Sequence, residues 1–547
     1  MANVRMFLWF ALVGSLWLSY TTWVEENAPP PAVVSASGSG AEALGQDIPA
    51  VSAPPDSGVP AAEITVAETA AELGPTIRVR TDVLEVEIAT LGGDMVRADL
   101  LTYPVAKDRP DELVRLLDSE PTTYWVFQTG LRDAADGPEP NHLAPFTSDQ
   151  DEYVLTSGQD ALTVVLTWAE GGALEVTKTY TFLRGQYGIE LAIDARNTSA
   201  SAWSGVAYTQ MLRLHDPLER SYLSVDSYSF TGPVFYDGDS YDKLDVDDLL
   251  SAPQEQRLAN GWLAAIQHHF LAAAVPPAGD LTSYEASARD RTFRLRAVSP
   301  TIEIAPGATS QYLTSLFVGP KLQAQLSAIS EDLPLTVDYG LLTPLSKPLF
   351  WLLAKTHDLV GNWGWSIVLV TILIKLAFYR LTAMSGRSMA KMRKLQPRLK
   401  ILQDRYKEDR QALGQAMMEL YKREKVNPAA GCLPMLIQMP VFFAFYWVLV
   451  ESVEMRQAPF MLWINDLSVR DPFFVLPLVM LGAMMFQQRL NPAPPDPVQA
   501  KVMQIMPIVF SAMFAFFPAG LVLYWVTNTV TSIAQQWRIN TLVEREG

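Results

Sequence analysis

The stretch Gly361–Leu381, GNWGWSIVLVTILIKLAFYRL, is apolar for most of its length and carries Lys375 inside the run. A bilayer crossing needs a helix of roughly 20 mostly apolar residues. A charge at that depth is costly, which makes Lys375 a candidate functional residue. It also lies near the end of the run, so a lysine that merely snorkels to the headgroups is the competing reading. The rest of the chain decides between them.

Further apolar segments follow at 429–451, 472–489, 502–517 and 519–537, the last two joined by a tight turn at Pro518-Ala519-Gly520. Each reads as a membrane span, although two are short. Counted from a cytoplasmic N-terminus, the inside loops 382–428 and 490–501 hold most of the basic residues, and the outside loop 452–471 has only Arg456 and Arg470. That asymmetry satisfies the positive-inside rule and puts Lys375 in the cytoplasmic half of its helix. Residues 338–358, broken by Pro344 and Pro348, read as a short amphipathic helix in the interface. A buried connector helix is the alternative.

The chain has 547 residues, 49% hydrophobic and 18% charged, with a formal net charge of −17. The charge is split. Residues 24–335 carry 45 Asp/Glu against 19 Lys/Arg, and the remainder carries 14 against 23. An acidic part and a basic part imply two environments. The one cysteine, Cys432, excludes an intrachain disulfide framework and a Cys-based zinc site. No Gly-rich phosphate loop is visible.

Residues 1–24 pair Arg5 with an apolar run longer than a usual signal core, so they read as a retained N-terminal anchor. Residues 25–75 are rich in Ala, Pro, Ser and Gly and read as a disordered linker outside the cytoplasm. From 76 to 335 the pattern becomes alternating. Segments such as Ile77–Ile88, Leu162–Trp168, Leu174–Phe182 and Ile189–Ala195 have the period of half-buried strands, separated by turn signals such as Gly92-Gly93 and Gly171-Gly172. The expectation is a β-sandwich of roughly 240 residues, outside the cytoplasm. His268 and His269 are adjacent. On a strand they would face opposite sides, which argues for structural histidines over a shared ligand.

The loop 383–427 is patterned as two amphipathic helices turning near Glu408-Asp409, with Pro397 expected to kink the first. Residues 383–425 hold twelve basic and five acidic side chains. A solvated hairpin touching anionic lipid is one reading. A docking arm is the other, using Met389, Met392, Arg393, Lys394, Lys400 and Arg405. In the last span, Trp525, Thr529, Ser532 and Gln536 fall on one face, and Thr371 shares a face with Lys375. Polar side chains at such depth point into a bundle or a watered cavity. Interhelical hydrogen bonding is the alternative for each residue singly.

The blocks GNWGWSIVLVTILIK, SMAKMRKLQPRLK, YKREKVNPAAGCLPMLIQMPVFFAFYWVL, SVEMRQAPFMLWINDLS, DPFFVLPLVM and FPAGLVLYWVTN, in order over roughly 340–540, resemble the bacterial insertases of the YidC/Oxa/Alb family. The acidic β-domain after a first anchor resembles the Gram-negative form. There the periplasmic domain is a β-supersandwich similar to galactose-mutarotase-like folds. The resemblance implies a multi-domain membrane protein: an anchor helix, five core transmembrane helices, the β-supersandwich and a cytoplasmic helical hairpin. It implies insertion and chaperoning of inner-membrane proteins without covalent chemistry or cofactor. The work would be done alone or with the Sec translocon, through a hydrophilic groove open to cytoplasm and lipid.

Carried over by position, the groove residues are Lys375, Thr371, Gln438, Tyr524 and Trp525, and Asn528, Thr529, Ser532 and Gln536 of the last span join them as expected groove residues. Lys375 stands where the family usually has Arg, and Trp525 where a second Tyr is common. The implied partners are nascent membrane proteins, the Sec translocon, anionic lipids and, as further candidates, the ribosome and signal recognition pathway, with no direct nucleic-acid contact. The family's basic C-terminal tail is missing from 538–547, which argues against ribosome contact there. Both termini would be cytoplasmic and the linker and large domain periplasmic, in the bacterial inner membrane. Three other classes stay open: a membrane-anchored periplasmic sugar-binding or mutarotase-like protein, a transporter, and an assembly scaffold. A transporter would show an inverted repeat, and none is visible.

Overall fold

The computed structural model describes residues 74–134, 139–168, 174–216, 229–406, 409–424, 426, 433–490 and 497–545. The anchor expected at 1–24 and the linker expected at 25–75, except its last two residues, lie outside them. The described chain divides into two units. One holds residues 74–340 together with Val450–Arg456, and the other holds Leu341–Leu449 and the chain from Gln457 onward.

The first unit is a β-sandwich of three sheets. The nine-stranded sheet runs, in spatial order, Tyr241–Lys243, Thr231–Tyr236, Trp262–Gln267, Phe270–Val275, Thr309–Pro320, Gly188–Asn197, Leu174–Leu183, Ala161–Trp168, Thr147–Ser148. A six-stranded sheet is centred on Trp203–Leu214, which also pairs with Trp125–Asp133. A five-stranded sheet carries Asp94–Ala106. Two short helices, α1 (Val246–Ser251) and α2 (Gln323–Ile329), complete the unit.

The alternating sequence explains these strands. In Leu174–Leu183, residues Leu174, Val176, Lys178, Tyr180 and Phe182 are buried, while Glu175 and Leu183 are exposed. Its antiparallel register against Gly188–Asn197 sets Tyr180 opposite Leu191 and Phe182 opposite Ile189, so one face of both strands is apolar. The continuous segment read at 77–88 is two strands, Thr76–Arg80 and Leu84–Ala89. The Thr81 hydroxyl accepts from the Val83 and Leu84 amides and closes the turn between them.

Lys178 occupies an inward position and is fully buried. Its ammonium donates to the Gly92 carbonyl, to the Thr129 carbonyl and to Thr129 Oγ1 (both 2.8 Å), and lies 3.5 Å from Asp94 Oδ1. Asp94 also accepts from the Thr129 amide at 2.8 Å. The cluster ties all three sheets. Burial pushes the Asp94 carboxyl up to about 6 against the pull of Lys178.

His268 and His269 do not lie on a strand, contrary to the assumption behind the sequence reading of structural histidines. They form the tight turn between Trp262–Gln267 and Phe270–Val275, with His268 at φ 46°. Neighbouring residues face opposite sides only on an extended strand. Here the rings stack 3.7 Å apart, and both Nε2 atoms bond the Val450 carbonyl, at 3.1 and 2.8 Å. In the same segment Arg456 donates to the carbonyls of Pro104 and Val105.

The second unit is helical: α3 (Thr343–Val360), α4 (Trp363–Ala377), α5 (Tyr379–Arg405), α6 (Arg410–Arg423), α7 (Leu433–Glu451), α8 (Val475–Leu490), α9 (Pro497–Phe514) and α10 (Ala519–Arg545). The end of α7 passes into the first unit at Val450. Asn362 caps α4, its Oδ1 accepting the Trp365 amide at 3.0 Å, and Asp409 caps α6 through the amides of Gln411 and Ala412.

The segment expected as one span at 361–381 is not one helix. It breaks at Phe378, where α4 and α5 meet at 68°. Among the described residues no single helix is long and apolar enough to cross a membrane, while this bent pair passes the same test together. Pro397 lies inside the unbroken helix α5. The last helix runs past 537 to Arg545.

Removing the Lys178 ammonium strands a buried carboxylate, which costs about 3–5 kcal/mol. Lys178→Met should therefore lower the thermal midpoint of the detergent-solubilised protein sharply, and adding Asp94→Asn should recover part of the loss. A second expectation concerns Glu454, in the short 3-10 turn Val453–Met455 of the first unit. Burial holds its carboxyl up at about 7, near Tyr103, Tyr339 and the Gln323 amide. The folded state thus keeps a proton that the unfolded chain releases above about 4.5. Stability is fully present below that pH and is lost as pH rises through 7. The midpoint should fall between pH 5 and 8, and Glu454→Gln should flatten that fall.

Candidate functional site

Helices α4, α7 and α10 bring four polar side chains around Lys375. The Lys375 ammonium donates to Gln438 Oε1 at 3.1 Å and to Ser532 Oγ at 2.8 Å. Gln438 Nε2 donates to Tyr524 OH and to Asn528 Oδ1, both at 2.7 Å. Tyr524, Asn528 and Ser532 fall four residues apart on α10, so they stack along one face. Gln535, one step of three further, donates to the Lys375 carbonyl at 3.2 Å. That carbonyl is in the last turn of α4, where helix carbonyls lack intrahelical partners.

Among the described residues no carboxylate lies within ion-pair distance of Lys375; both of its partners are uncharged. A recess of about 40 Å3 lies beside it, lined by Lys375, Thr382 and Gln438 among apolar Ile374, Phe378 and Val441. A space of that size with several polar groups can hold water. Chemically the site is a single cation on a polar ledge. It has no nucleophile–base pair, and no group of three metal-ligating side chains occurs among the described residues.

The other candidates divide. Thr371 is buried, and its hydroxyl bonds back to the Ile367 carbonyl of its own helix at 2.6 Å. Trp525 packs into an aromatic cluster with Phe442, Phe514 and Phe510, at centroid distances of 5.1, 5.2 and 6.3 Å. Thr529 is buried beside Asn528. Gln536 is half-buried on the turn where Gln535 makes the contact to α4. The sequence face Trp525–Thr529–Ser532–Gln536 is therefore rotated by one residue from the face Tyr524–Asn528–Ser532–Gln535. Gln535 is not singled out by the sequence because three and four are equally good steps along a helix; the step of three from Ser532, seven from Asn528, is the available signal.

On α5, Met389 and Met392 are half-buried, and Arg393, Lys394, Lys400 and Arg405 are exposed. Lys394 reaches the Val543 carbonyl at the end of α10, at 3.3 Å. Arg398 pairs with Glu424 after α6, at 2.6 Å. Gly386 of α5 faces Ile539 so closely that a Cβ there would sit 3.0 Å from it.

Known proteins match both parts of the chain. The model described as "60Kd inner membrane protein" matches residues 355–546, and that described as "YidC periplasmic domain" matches 76–352. A membrane protein insertase YidC of Thioalkalivibrio sulfidiphilus is 46% identical, covering 100% of both chains. One from Methylococcus capsulatus is 46% identical over 100% of this chain and 99% of its own. Among solved structures, an active YidC insertase with its first transmembrane domain resolved is 20% identical, covering 85% of this chain and 94% of that one, at a TM-score of 0.39. The two models and the full-length identities agree: the chain belongs to the membrane protein insertase YidC family, inner-membrane proteins with a periplasmic domain.

Proposed function

We propose that the protein inserts nascent polypeptides into the bacterial inner membrane and helps them fold, without covalent chemistry, through a polar groove built around Lys375. The observation that carries this is the Lys375 ammonium, held by Gln438 and Ser532 with no carboxylate within ion-pair distance among the described residues. A polar ledge lowers the cost of drawing a hydrophilic segment part-way into the bilayer, because its polar groups need not be bare in hydrocarbon. The ammonium attracts acidic residues of the translocating tail. The apolar flank then leaves sideways into lipid, driven by burial of its nonpolar surface.

In this reading α4, α7, α8, α9 and α10 are the core spans, with α4 and α5 sharing one bent crossing. The groove opens to cytoplasm and lipid, both termini are cytoplasmic, and the β-sandwich is periplasmic. The helix α3 lies in the interface, with Leu349, Phe350 and Leu353 packed inward and Trp351 and Lys355 outward. The basic helices α5 and α6 touch anionic lipid and offer a docking arm to nascent chain or ribosome. Cooperation with the Sec translocon belongs to the same reading. Full-length family membership favours it over a sugar-active periplasmic protein or a transporter.

The test compares Lys375→Ala with Lys375→Arg, scored by insertion of a short substrate with an acidic translocated tail. The arginine variant should retain insertion and the alanine variant should lose it by about fivefold, the factor expected for one partly screened charge contact. Full insertion by the alanine variant would reject the role of the charge.

A further inference from the structure

Gln438 uses its whole amide. Its oxygen accepts from the Lys375 ammonium, and its two N–H groups go to Tyr524 OH and Asn528 Oδ1. An amide has one acceptor end and one double-donor end. Reversing it would put NH2 against NH3+ and oxygen against the Asn528 oxygen. Two neighbours therefore enforce one orientation. Ser532 is oriented in the same way. Its hydroxyl donates to the Asn528 carbonyl at 2.7 Å, so towards Lys375 it can only accept. An ammonium has three donors. Two are placed on Gln438 and Ser532, and no third acceptor is found among the described residues. The recess borders both Lys375 and Gln438.

We propose that Gln438 is the positioning residue that sets selectivity for acidic segments. Its locked amide holds the Lys375 ammonium in place without neutralising it and leaves one N–H for a single carboxylate oxygen of the incoming chain. A neutral acceptor suits this role, because it orients the cation yet is weaker than an ionised oxygen, which a substrate can therefore supply in competition. A compact ammonium takes one oxygen end-on, unlike the arginine fork. The recognised feature is then one Asp, Glu or terminal carboxylate, with no need for a planar, bidentate arrangement. This inference rests on the groove reading proposed above.

The test uses the full-length protein in proteoliposomes and two substrates that differ only by Asp or Asn in the translocated tail. The quantity read is the ratio of their insertion. Wild type should favour the acidic tail. In Gln438→Glu a built-in carboxylate occupies the ammonium, and the ratio should fall about fivefold, to that of Lys375→Ala. A purely structural defect would lower both substrates and leave the ratio in place, which would overturn the inference. A wild-type ratio in Gln438→Glu, with a collapsed ratio in Lys375→Ala, would also overturn it while the groove reading stands. An unchanged ratio in Lys375→Ala would remove the groove reading itself. Should Gln438→Glu fail to accumulate, Asn528→Ala, which releases one lock on the amide, decides: a reduced ratio supports the inference, and an unchanged one overturns it.

Discussion

The helical unit depends on how one ammonium is solvated inside an apolar helix. Lys375 follows the run Ile367–Ile374, yet it rests on an amide oxygen and a hydroxyl. Either partner alone would be a weak exchange for water. Together the two oxygens replace part of its hydration, and neither carries a charge of its own. A buried carboxylate would have given a tighter pair and a spent one. In the proposed function, the neutral ledge leaves the positive field directed at the segment that enters the recess.

Supporting this arrangement constrains three helices at once. Tyr524, Asn528 and Ser532 must share a face of α10, Gln438 must face them from α7, and α4 must end near Lys375 so that Gln535 can reach its carbonyl. The aromatic packing of Phe445 on Tyr524, 4.4 Å between centroids, and of Trp525 on Phe442 fixes α7 against α10 just beside the polar contacts. The β-sandwich solves a parallel problem differently. There Lys178 is closed in by carbonyls, a hydroxyl and Asp94, and its charge serves cohesion between sheets.

How far the sequence alone is legible follows from the range of each signal. Strand alternation is local, so Leu174–Leu183 and Gly188–Asn197 are legible, whereas the role of Lys178 depends on Gly92, Asp94 and Thr129, which are distant in sequence. The polar set Lys375, Gln438, Tyr524, Asn528 and Ser532 was legible from polar residues at apolar depth together with family resemblance. The break at Phe378 was not, because neither proline nor glycine marks it. The one-residue rotation of the α10 face was lost because the helical period is not an integer. The histidine pair is read as structural, but its stacking is not legible, because a two-residue turn replaces the extended backbone on which opposite faces depend. The inclusion of Val450–Arg456 in the strand-rich unit depends on contacts distant in sequence, which no local pattern carries.

The central claim is that an incoming polypeptide meets this cation. The most direct measurement is photocrosslinking from position 441, which lines the recess, with a photoreactive side chain replacing Val441 and a nascent acidic-tailed membrane protein as client. The control position is 373, on an exposed face of α4. The account predicts an adduct from 441 that weakens when Lys375 becomes alanine, and a weaker one from 373 that does not change. Equal adducts from both positions, indifferent to Lys375, would contradict it.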